Sequence, residues 1–253
     1  MNFSFRLLAP AATLLALMAT PAAAESSVSA PQRGEIEAII KDYLISHPEV
    51  LQDAMAALER QQAALEAEKH RVAIKDNTAA LLASPHQVVL GNPQGDITMV
   101  EFFDYNCGFC KRAMSDMFDL ISTDPKLRVV LKEWPVLSQG SVDAAHVAVA
   151  VRMQDPKKYL EFHQKLLGGR GGADAARALA VAKDIGLDPA RIEKDAKSQE
   201  ATATLAENFH LAEMLGLNGT PSYVIGNEVV IGAVGIPALK EKVNTARCGK
   251  ATC

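Results

Sequence analysis

Residues 100–110 read VEFFDYNCGFC, and this stretch decides the fold. Its first residues are bulky and mostly apolar, so they predict a buried strand, and residues 104–106 predict a short polar connection after it. A helix is predicted to begin at Cys107 and to end near Ser122. The C-x-x-C sequence therefore stands where a buried strand gives way to the first turn of a helix.

Short apolar runs on both sides predict the remainder of one sheet. The predicted strands are residues 88–90, 97–103, 127–133, 222–225 and 228–231. A strand, a helix and a further strand indicate a βαβ unit with parallel strands, which is typical of the α/β class. Residues 139–215 contain no strand pattern and predict about four or five helices inserted between the two halves of the sheet, and a last helix is predicted for residues 236–245.

The helix start gives the two cysteines different chemistry. Free backbone N–H groups and the helix dipole stabilise a thiolate at the first turn, and the thiolate is the form that attacks disulfides. Cys107 is nearest to that end and to the solvent, so we predict that it attacks. Cys110 lies one turn further in, so we predict that it resolves the mixed disulfide by displacing the partner's sulfur.

Other uses of the same cysteine pair stay open at this point. A structural disulfide across two residues constrains the unfolded chain little. A zinc site would recruit four Cys or His ligands, and none of the six histidines has the spacing for it, so we predict no metal as the main role. Transient binding of a soft ion such as Cu(I) by the two thiols remains an alternative.

A second landmark is the sequence GTPSY at residues 219–223, directly before a predicted strand. Proline is tolerated as the first residue of a strand on ordinary grounds. Together with residues 102–111 and the helical insertion, however, it makes the chain resemble the DsbA-like branch of the thioredoxin superfamily, the bacterial disulfide oxidoreductases. The resemblance covers about residues 84–246. It implies a thioredoxin fold in which Pro221 is cis and packs against the active disulfide, and in which the backbone of Thr220 pairs with an extended substrate segment.

The resemblance also concerns the surroundings of the cysteines. The dipeptide Gly108-Phe109 stands where the best-known oxidases of the branch have Pro-His, so the ring that helps to hold the thiolate there is absent. In the family, an acidic and a basic residue below the buried cysteine help to move its proton, and Glu101 and Lys132 on neighbouring predicted strands match those positions. A plain cross-strand ion pair at the sheet margin is the alternative.

Residues 1–24 have the layout of a secretory signal peptide. Arg6 precedes an apolar run and a small-residue site follows it at residues 22–24, so we predict cleavage before Glu25 and export to the periplasm. That run is too short to span a bilayer comfortably, and no later segment approaches the length of a membrane helix. The formal net charge of −4, without a clustered basic face, argues against a nucleic-acid partner.

Residues 25–84 are predicted as a helical segment ahead of the catalytic domain, residues 85–253. Residues 25–34 predict a flexible lead-in, followed by helices over about residues 35–45 and 48–83. Apolar residues recur at intervals of seven along them: Leu44, Leu51, Leu58, Leu65 and Val72. That spacing is typical of a coiled-coil seam, and an amphipathic helix that lies on its own domain is the alternative.

Residues 42–44, 47–51 and 57–59 bear a further resemblance, to the helical extension of the suppressor-of-copper-sensitivity C (ScsC) proteins, some of which are trimers held by it. The resemblance implies a homo-oligomer, with a trimer as the favoured state, in which the catalytic cysteines face a shared cleft. Such a cleft favours isomerase work, because a misfolded substrate could be held while its disulfides are exchanged.

Cys248 and Cys253 complete the four cysteines of the chain. They enclose a short polar loop, with no aromatic strand before them and no helix start beside them. We therefore predict a structural disulfide between them, which an exported protein can keep. Free thiols or a secondary redox role are the alternatives.

These observations predict a periplasmic thiol-disulfide oxidoreductase that needs no cofactor and acts on exported cysteine-containing proteins. We favour isomerase or reductase activity in an oligomer that a membrane redox partner keeps reduced. A dithiol oxidase is the first alternative, and a copper-handling protein that uses the same two cysteines is the second. An interaction module with an inert thioredoxin-like domain is the third.

Overall fold

The computed structural model describes residues 28–253. Its strands are β1 (Val88–Gly91), β2 (Ile97–Phe103), β3 (Leu127–Glu133), β4 (Ser222–Ile225) and β5 (Glu228–Ile231). They form one sheet in the order β1-β3-β2-β4-β5, in which β2 and β3 are parallel and all other neighbours are antiparallel. The predicted parallel unit is confirmed, and β4 and β5 form a hairpin.

The described part of the chain contains ten α-helices. They are α1 (Ala30–Ser46), α2 (Pro48–Asp76), α3 (Thr78–Leu82), α4 (Gly108–Thr123), α5 (Gln139–Gln154), α6 (Tyr159–Gly168), α7 (Ala175–Asp184), α8 (Pro189–Ala196), α9 (Gln199–Met214) and α10 (Ile236–Cys248). Helix α4 connects β2 to the parallel strand β3. Helices α5 to α9 form the insertion between β3 and β4, as the sequence predicts.

The two faces of the sheet pack against different helices because side chains alternate along each strand. Met99 and Phe103 of β2 face the core on the side of α4 and α10. Val100 and Phe102 face the opposite core, together with Leu81 of α3 and residues of α9. The face towards α4 (below, the front face) and the back face are therefore separate, and a shift of one residue along a strand moves a side chain from one to the other.

Three helix bounds differ from the predictions. Helix α1 begins at Ala30, within the predicted lead-in, because the Gln32 side chain accepts a hydrogen bond from the Ser29 N–H at 3.0 Å and so caps the helix start. The long second helix ends at Asp76 rather than near residue 83, and a short helix follows it. The last helix continues to Cys248, where Gly249 adopts φ +76 and ends it.

The chain divides after Leu58 into two units. In the first unit, no residue between 28 and 58 is buried, and Leu51 and Leu58 are 48% and 54% exposed. In the second unit, Leu65 and Val72 of the same heptad series are exposed as well. The predicted signal peptide, residues 1–24, lies outside the described residues. Among residues 28–253, no helix has the length and apolar character that crossing a bilayer requires.

The segment before β1 is anchored to the back face of the sheet. Ile74 and Leu81 are buried there. Lys132 Nζ donates to the Ala80 carbonyl at 2.9 Å, and Arg128 Nη2 donates to the Leu82 carbonyl at 2.8 Å. These donors satisfy carbonyl groups at the end of α3 that lack helical partners. The last part of the predicted N-terminal segment thus packs as part of the second unit.

Candidate active site

The two cysteines lie where α4 begins. Cys107 is the N-cap residue, with φ −80 and ψ 112, and its Sγ accepts a hydrogen bond from the Cys110 N–H at 3.2 Å. A cap acceptor is favoured here because the first N–H groups of a helix have no partner within it. Both cysteines are free thiols, and both are buried, Cys107 with 6% and Cys110 with 0% of its surface exposed. Access to the pair is therefore through Cys107.

Their local environments give the two thiols opposite acidities. The pKa of Cys107 is lowered to about 6 by the hydrogen bond from the Cys110 thiol, with further donors in the Thr220 side chain and the Cys110 and Phe109 N–H groups, against the opposing effect of burial. Burial in turn raises the pKa of Cys110, and the neighbouring Cys107 adds to that rise. At neutral pH the first cysteine is thus a thiolate and the second a thiol, which suits an attacking and a resolving residue.

The loop before β4 lies against the attacking sulfur. The Thr220-Pro221 peptide bond is cis, and the Thr220 carbonyl oxygen lies 3.2 Å from Cys107 Sγ, within hydrogen-bond distance of the protonated thiol. The loop is held in turn by Ser222, whose hydroxyl donates to the Gly219 carbonyl at 2.6 Å, and by the Pro221 carbonyl, which accepts from Gly232 N–H at 2.8 Å. The fold therefore brings together the two landmarks that the sequence analysis singled out.

The dipeptide between the cysteines is open to solvent. Phe109 is 57% exposed, and the Arg112 guanidinium lies 4.3 Å from the centre of its ring. This cation–π contact covers one face of the ring. A Cβ added to Gly108 would have no neighbour within 4 Å. The surroundings of the cysteines are therefore apolar at position 109 and unoccupied at position 108.

Glu101 lies on the front face of the sheet, the face towards α4, beneath the cysteines. It is buried, and burial together with the charge of Cys107 raises its pKa to about 8. Tyr223 of β4 stands directly opposite in the register, and its buried hydroxyl has no hydrogen-bond partner among the described residues. Burial raises the pKa of Tyr223, and Glu101 adds to the rise. Glu101 is therefore a carboxyl that can gain or lose a proton near neutral pH.

The prediction that Lys132 accompanies Glu101 under the active helix is wrong. In the register of β2 and β3, Lys132 pairs with Phe102 and not with Glu101. Its side chain consequently points to the back face, where Nζ donates to Glu207 Oε1 at 3.1 Å and to the carbonyl of α3 described above. Burial lowers the pKa of Lys132, and the ion pair with Glu207 only partly offsets this effect. Lys132 thus anchors the segment before β1.

Asp104 and Asn106, between β2 and α4, belong to the site and were not singled out from the sequence. The buried Asp104 carboxylate accepts from the N–H groups of Asn106 at 2.7 Å, Val136 at 2.9 Å and Leu137 at 3.0 Å. The Asn106 amide accepts from the Ala173 N–H at 2.6 Å and donates to the Ala173 carbonyl at 2.9 Å. These contacts join the residue before Cys107 to the helical insertion. The only sequence signal was that both side chains are polar next to a C-x-x-C pair.

A buried polar chain lies beside this connection. Tyr159 OH donates to Glu133 Oε1 at 2.5 Å and lies 3.3 Å from Tyr105 OH, and His163 Nδ1 lies 3.4 Å from the same Tyr105 hydroxyl. Burial raises the pKa of Glu133 and lowers the pKa of His163 to about 3, so His163 is neutral. The chain connects the end of β3 with α6 and with the loop that leads to Cys107. It gives that loop a rigid support.

Cys248 and Cys253 are joined by a disulfide across a sequence separation of five. Both are exposed, and Cys248 is the last residue of α10. No group of three or more His, Cys, Asp or Glu side chains between residues 28 and 253 is arranged to hold a metal ion. Metal binding at Cys107 and Cys110 would therefore rest on the two thiols.

Comparisons with known proteins agree with this arrangement. Residues 98–244 match the family model of the DSBA-like thioredoxin domain, and residues 32–64 match the copper resistance protein ScsC N-terminal domain. A thioredoxin-like oxidoreductase from Silicibacter pomeroyi DSS-3 is 44% identical, with a TM-score of 0.64, over 67% of this chain and 96% of that one. ScsC from Proteus mirabilis, in a transitional conformation, is 28% identical, with a TM-score of 0.64, over 88% of this chain and 98% of that one.

Curated relatives cover less of the chain. Disulfide bond formation protein D from Bacillus subtilis is 25% identical over 65% of this chain and 78% of its own length. The first curated relatives are Na(+)/H(+) antiporters of two Salinispora species, and the chain spans about a quarter of their length, 25% and 24%. The expected DsbA-like thioredoxin fold and the likeness to the ScsC extension are both confirmed.

Proposed function

The chain belongs to the family of DSBA-like thioredoxin domains, whose members are thiol-disulfide oxidoreductases, and from that premise we propose that it exchanges disulfides with exported proteins through Cys107 and Cys110. The observation that carries the proposal is the opposite acidity of the two buried thiols. One has its pKa lowered to about 6 at a helix start, and the other has its pKa raised by burial. A cysteine pair with a purely structural role does not require such a difference between the pKa values of its two thiols.

The reaction has two steps. The Cys107 thiolate attacks one sulfur of a substrate disulfide, a new disulfide forms between them, and the second substrate sulfur leaves as a thiolate and takes a proton from water. The Cys110 thiol then gives its proton to the Glu101 carboxylate and attacks Cys107, which releases the first substrate sulfur. The substrate disulfide is reduced by two electrons, and the protein dithiol is oxidised to a disulfide. Oxidation of a substrate runs through the same steps in reverse.

The elements that receive the substrate lie on both sides of Cys107. The backbone around Thr220 is in contact with Cys107 Sγ, so an extended substrate segment bound there would have its sulfur beside the nucleophile. The exposed Phe109 ring offers an apolar surface next to it. Supporting roles are therefore assigned to Gly108, Phe109, Thr220 and Pro221, with Glu101 as the proton acceptor.

Isomerase or reductase work is the favoured direction, with a membrane redox partner that keeps the dithiol reduced in the periplasm. Its support is the match to the ScsC extension, because an oligomer could present several dithiols to one misfolded client. A dithiol oxidase is the second candidate, since a thiolate with a low pKa is also a good leaving group. The name of the ScsC domain model keeps copper handling by the same thiols as a third candidate.

Self-association through the N-terminal helices is proposed on the exposed heptad residues. The helical segment, residues 25–84, precedes a catalytic domain of residues 85–253, and a trimer is the favoured state. Light scattering of the chain with Leu51→Lys tests this. We expect a monomer, because a charge in a coiled-coil seam is costly, whereas the adjacent Gln52→Lys should keep the parent mass. A parent chain that is monomeric would contradict the proposal.

The activity is tested by two measurements on the full mature chain. One is the equilibrium of the Cys107–Cys110 pair with glutathione, and the other is the refolding of scrambled ribonuclease by the reduced protein. Efficient unscrambling by the reduced form supports an isomerase. An oxidising equilibrium without unscrambling makes the protein a disulfide donor, and slow exchange with tight stoichiometric Cu(I) binding would replace the proposal by copper handling.

A further inference from the structure

Arg177, at the start of α7, is a half-buried cation, and no acidic side chain between residues 28 and 253 forms a salt bridge with it. Its Nη1 donates to the Arg170 carbonyl oxygen, and its Nε is buried with no hydrogen-bond partner among the described residues. The nearby Asp174 carboxylate accepts from the Arg177 backbone N–H at 2.8 Å and not from the guanidinium. A partly buried charge is normally paired. The guanidinium therefore leaves an uncompensated positive potential at this place.

The segment above this guanidinium is the glycine loop, residues 168–172. A Cβ at Gly169 would collide with the Arg177 guanidinium, so the loop approaches the cation as closely as it does because glycine stands there. On its other side, Lys111 of α4 contacts the Gly169 carbonyl oxygen, and in the described part of the chain no carboxylate lies within 4.0 Å of Lys111 Nζ. Two cations thus bind two consecutive carbonyl groups of the loop.

The N–H groups of the glycine loop remain available. Between residues 28 and 253, no protein group accepts a hydrogen bond from the N–H of Arg170, Gly171 or Gly172, and all three residues are exposed. Gly171 has φ +83, a conformation that occurs where successive N–H groups converge on an anion. Open donors and adjacent cations without counter-charges are the features of an anion site.

The same loop lines the pocket that leads to the nucleophile. An open pocket of about 300 Å³ is bordered by Cys107, Gly108 and Lys111 on one side and by Gly169, Gly171 and Gly172 on the other. Asn106 fixes this arrangement, because its amide binds both backbone groups of the residue that follows the loop. An anion bound by the loop would therefore lie next to the sulfur that Cys107 attacks.

We propose that the glycine loop binds a carboxylate that flanks the substrate disulfide, as in glutathione disulfide or in an acidic residue beside a client's cysteine. This rests on the disulfide exchange proposed above and names a substrate preference for it. The carboxylate forms only hydrogen bonds and ion pairs. The covalent steps are unchanged: the substrate disulfide gains two electrons, the protein dithiol loses two, and both substrate sulfurs leave as thiols.

The test is a ratio of second-order rate constants for oxidation of the reduced full-length protein. Glutathione disulfide is compared with 2-hydroxyethyl disulfide, which has no carboxylate, and a peptide disulfide with Glu beside its cysteine is compared with its Gln counterpart. We expect the carboxylated member of each pair to react about tenfold faster at low ionic strength and the advantage to shrink in 0.5 M salt. If only the Glu peptide reacts faster than its Gln counterpart, the carboxylate that the loop binds belongs to protein clients and not to glutathione.

Three variants locate the effect, and a fourth is the control. Arg177→Gln should bring the ratio close to one, and Arg177→Lys, which keeps the charge, should retain part of it. Lys111→Gln changes an exposed residue and should lower the ratio several-fold even if Arg177→Gln fails to fold. Arg191→Gln, on an exposed surface of α8, removes the same charge and should leave the ratio unchanged.

Two results would overturn the inference in distinguishable ways. If the neutral disulfides oxidise the protein and the ratio is one, or if it does not change in Arg177→Gln and Lys111→Gln, the carboxylate site is wrong while the exchange activity stands. If neither the charged nor the neutral disulfides react at Cys107, the proposed function fails together with it.

Discussion

The two cysteine pairs of this chain occupy opposite ends of helices. Cys107 caps the start of α4 and Cys110 lies in its first turn, whereas Cys248 is the last residue of α10. The first pair is buried and consists of free thiols, and the second pair is exposed and bridged. Two pairs of cysteines that are both close in sequence thus differ in burial, in oxidation state and in their position on a helix.

The contrast shows that position on a helix decides which pair can react. The positive end of a helix dipole and its free N–H groups stabilise a thiolate, and the negative end disfavours one. At α4 these groups act together with the Cys110 thiol and with Thr220, and the pKa of Cys107 falls to about 6. The end of α10 offers carbonyl groups instead. This contrast supports the proposal that the first pair is catalytic and the second structural.

The largest expected difference between the two cysteine pairs is the effect of serine substitutions on disulfide exchange. Cys107→Ser should lower disulfide exchange with glutathione by at least about 10³-fold, because a hydroxyl does not ionise near neutral pH and cannot replace the thiolate. The double variant Cys248→Ser with Cys253→Ser should stay within about twofold of the parent. Stopped-flow measurement of both proteins decides the matter. Equal losses in the two variants would make the assignment of a single active pair incomplete.

The buried carboxyl beneath the first pair should show itself in the stability of the protein. Because the folded-state pKa of Glu101 is about 8, above that of an unfolded chain, the folded protein holds a proton that the unfolded chain releases, and stability falls as pH rises from about 4.5 to 8. Glu101→Gln should remove this loss and raise the free energy of unfolding at pH 8 by as much as about 4 kcal/mol. Urea unfolding across this pH range measures it.

A matched control is Glu241→Gln, at an exposed carboxyl of α10. Its unfolding curve should follow the parent at every pH. If Glu101→Gln does the same, the pKa of Glu101 is not raised in the folded protein, and the carboxyl would not take up the Cys110 proton near neutral pH.

Loss of the second pair should affect stability and not chemistry. A disulfide that closes a loop with a sequence separation of five contributes about 2 kcal/mol through the entropy of the unfolded chain. Thermal unfolding of the double serine variant should therefore shift to lower temperature by a few degrees, and the alkylation rate of Cys107 should not change. A change in that rate would mean that the Cys248–Cys253 disulfide influences the reactivity of Cys107.

The reactivity of Cys107 should depend on pH in a simple way. Above its pKa of about 6 the thiol is ionised, so alkylation by iodoacetamide should reach a plateau near pH 7 and be about tenfold slower at pH 5. Mass spectrometry of the reduced protein at a series of pH values provides the profile. A midpoint near pH 8.5, the ordinary value for a thiol, would mean that the pKa of Cys107 is not lowered and that its thiol is no more acidic than that of an exposed cysteine.

Much of the fold and the centre of the site could be predicted because their signals are local. The strand before Cys107 and the hairpin near Gly226 appear in short apolar runs, and the helix start follows directly on the strand. Lys132 was assigned wrongly because the decision depends on the register of β2 against β3, and one residue of register changes the face of the sheet. Register is a property of two strands and is not carried by either alone.

The residues that were missed act through distant parts of the chain. Asn106 contacts Ala173, which is 67 residues away, and Arg177 reaches the carbonyl of the glycine loop from the next helix. Asn106 lies in the stretch that carries the family resemblance, but nothing in the sequence indicates its contact with Ala173. Arg177 belongs to no motif that the sequence analysis found. Only the packing of the helical insertion against the start of α4 gives them a role.

Gly108 has a consequence for how such a protein can evolve. Since a side chain at this position would enter empty space beside the nucleophile, a substitution there alters the neighbourhood of the sulfur without repacking the core. Random libraries at position 108 should thus contain mostly well-folded proteins that differ in redox behaviour. Natural selection has the same freedom: single mutations can change the surroundings of this sulfur without first requiring compensatory changes elsewhere.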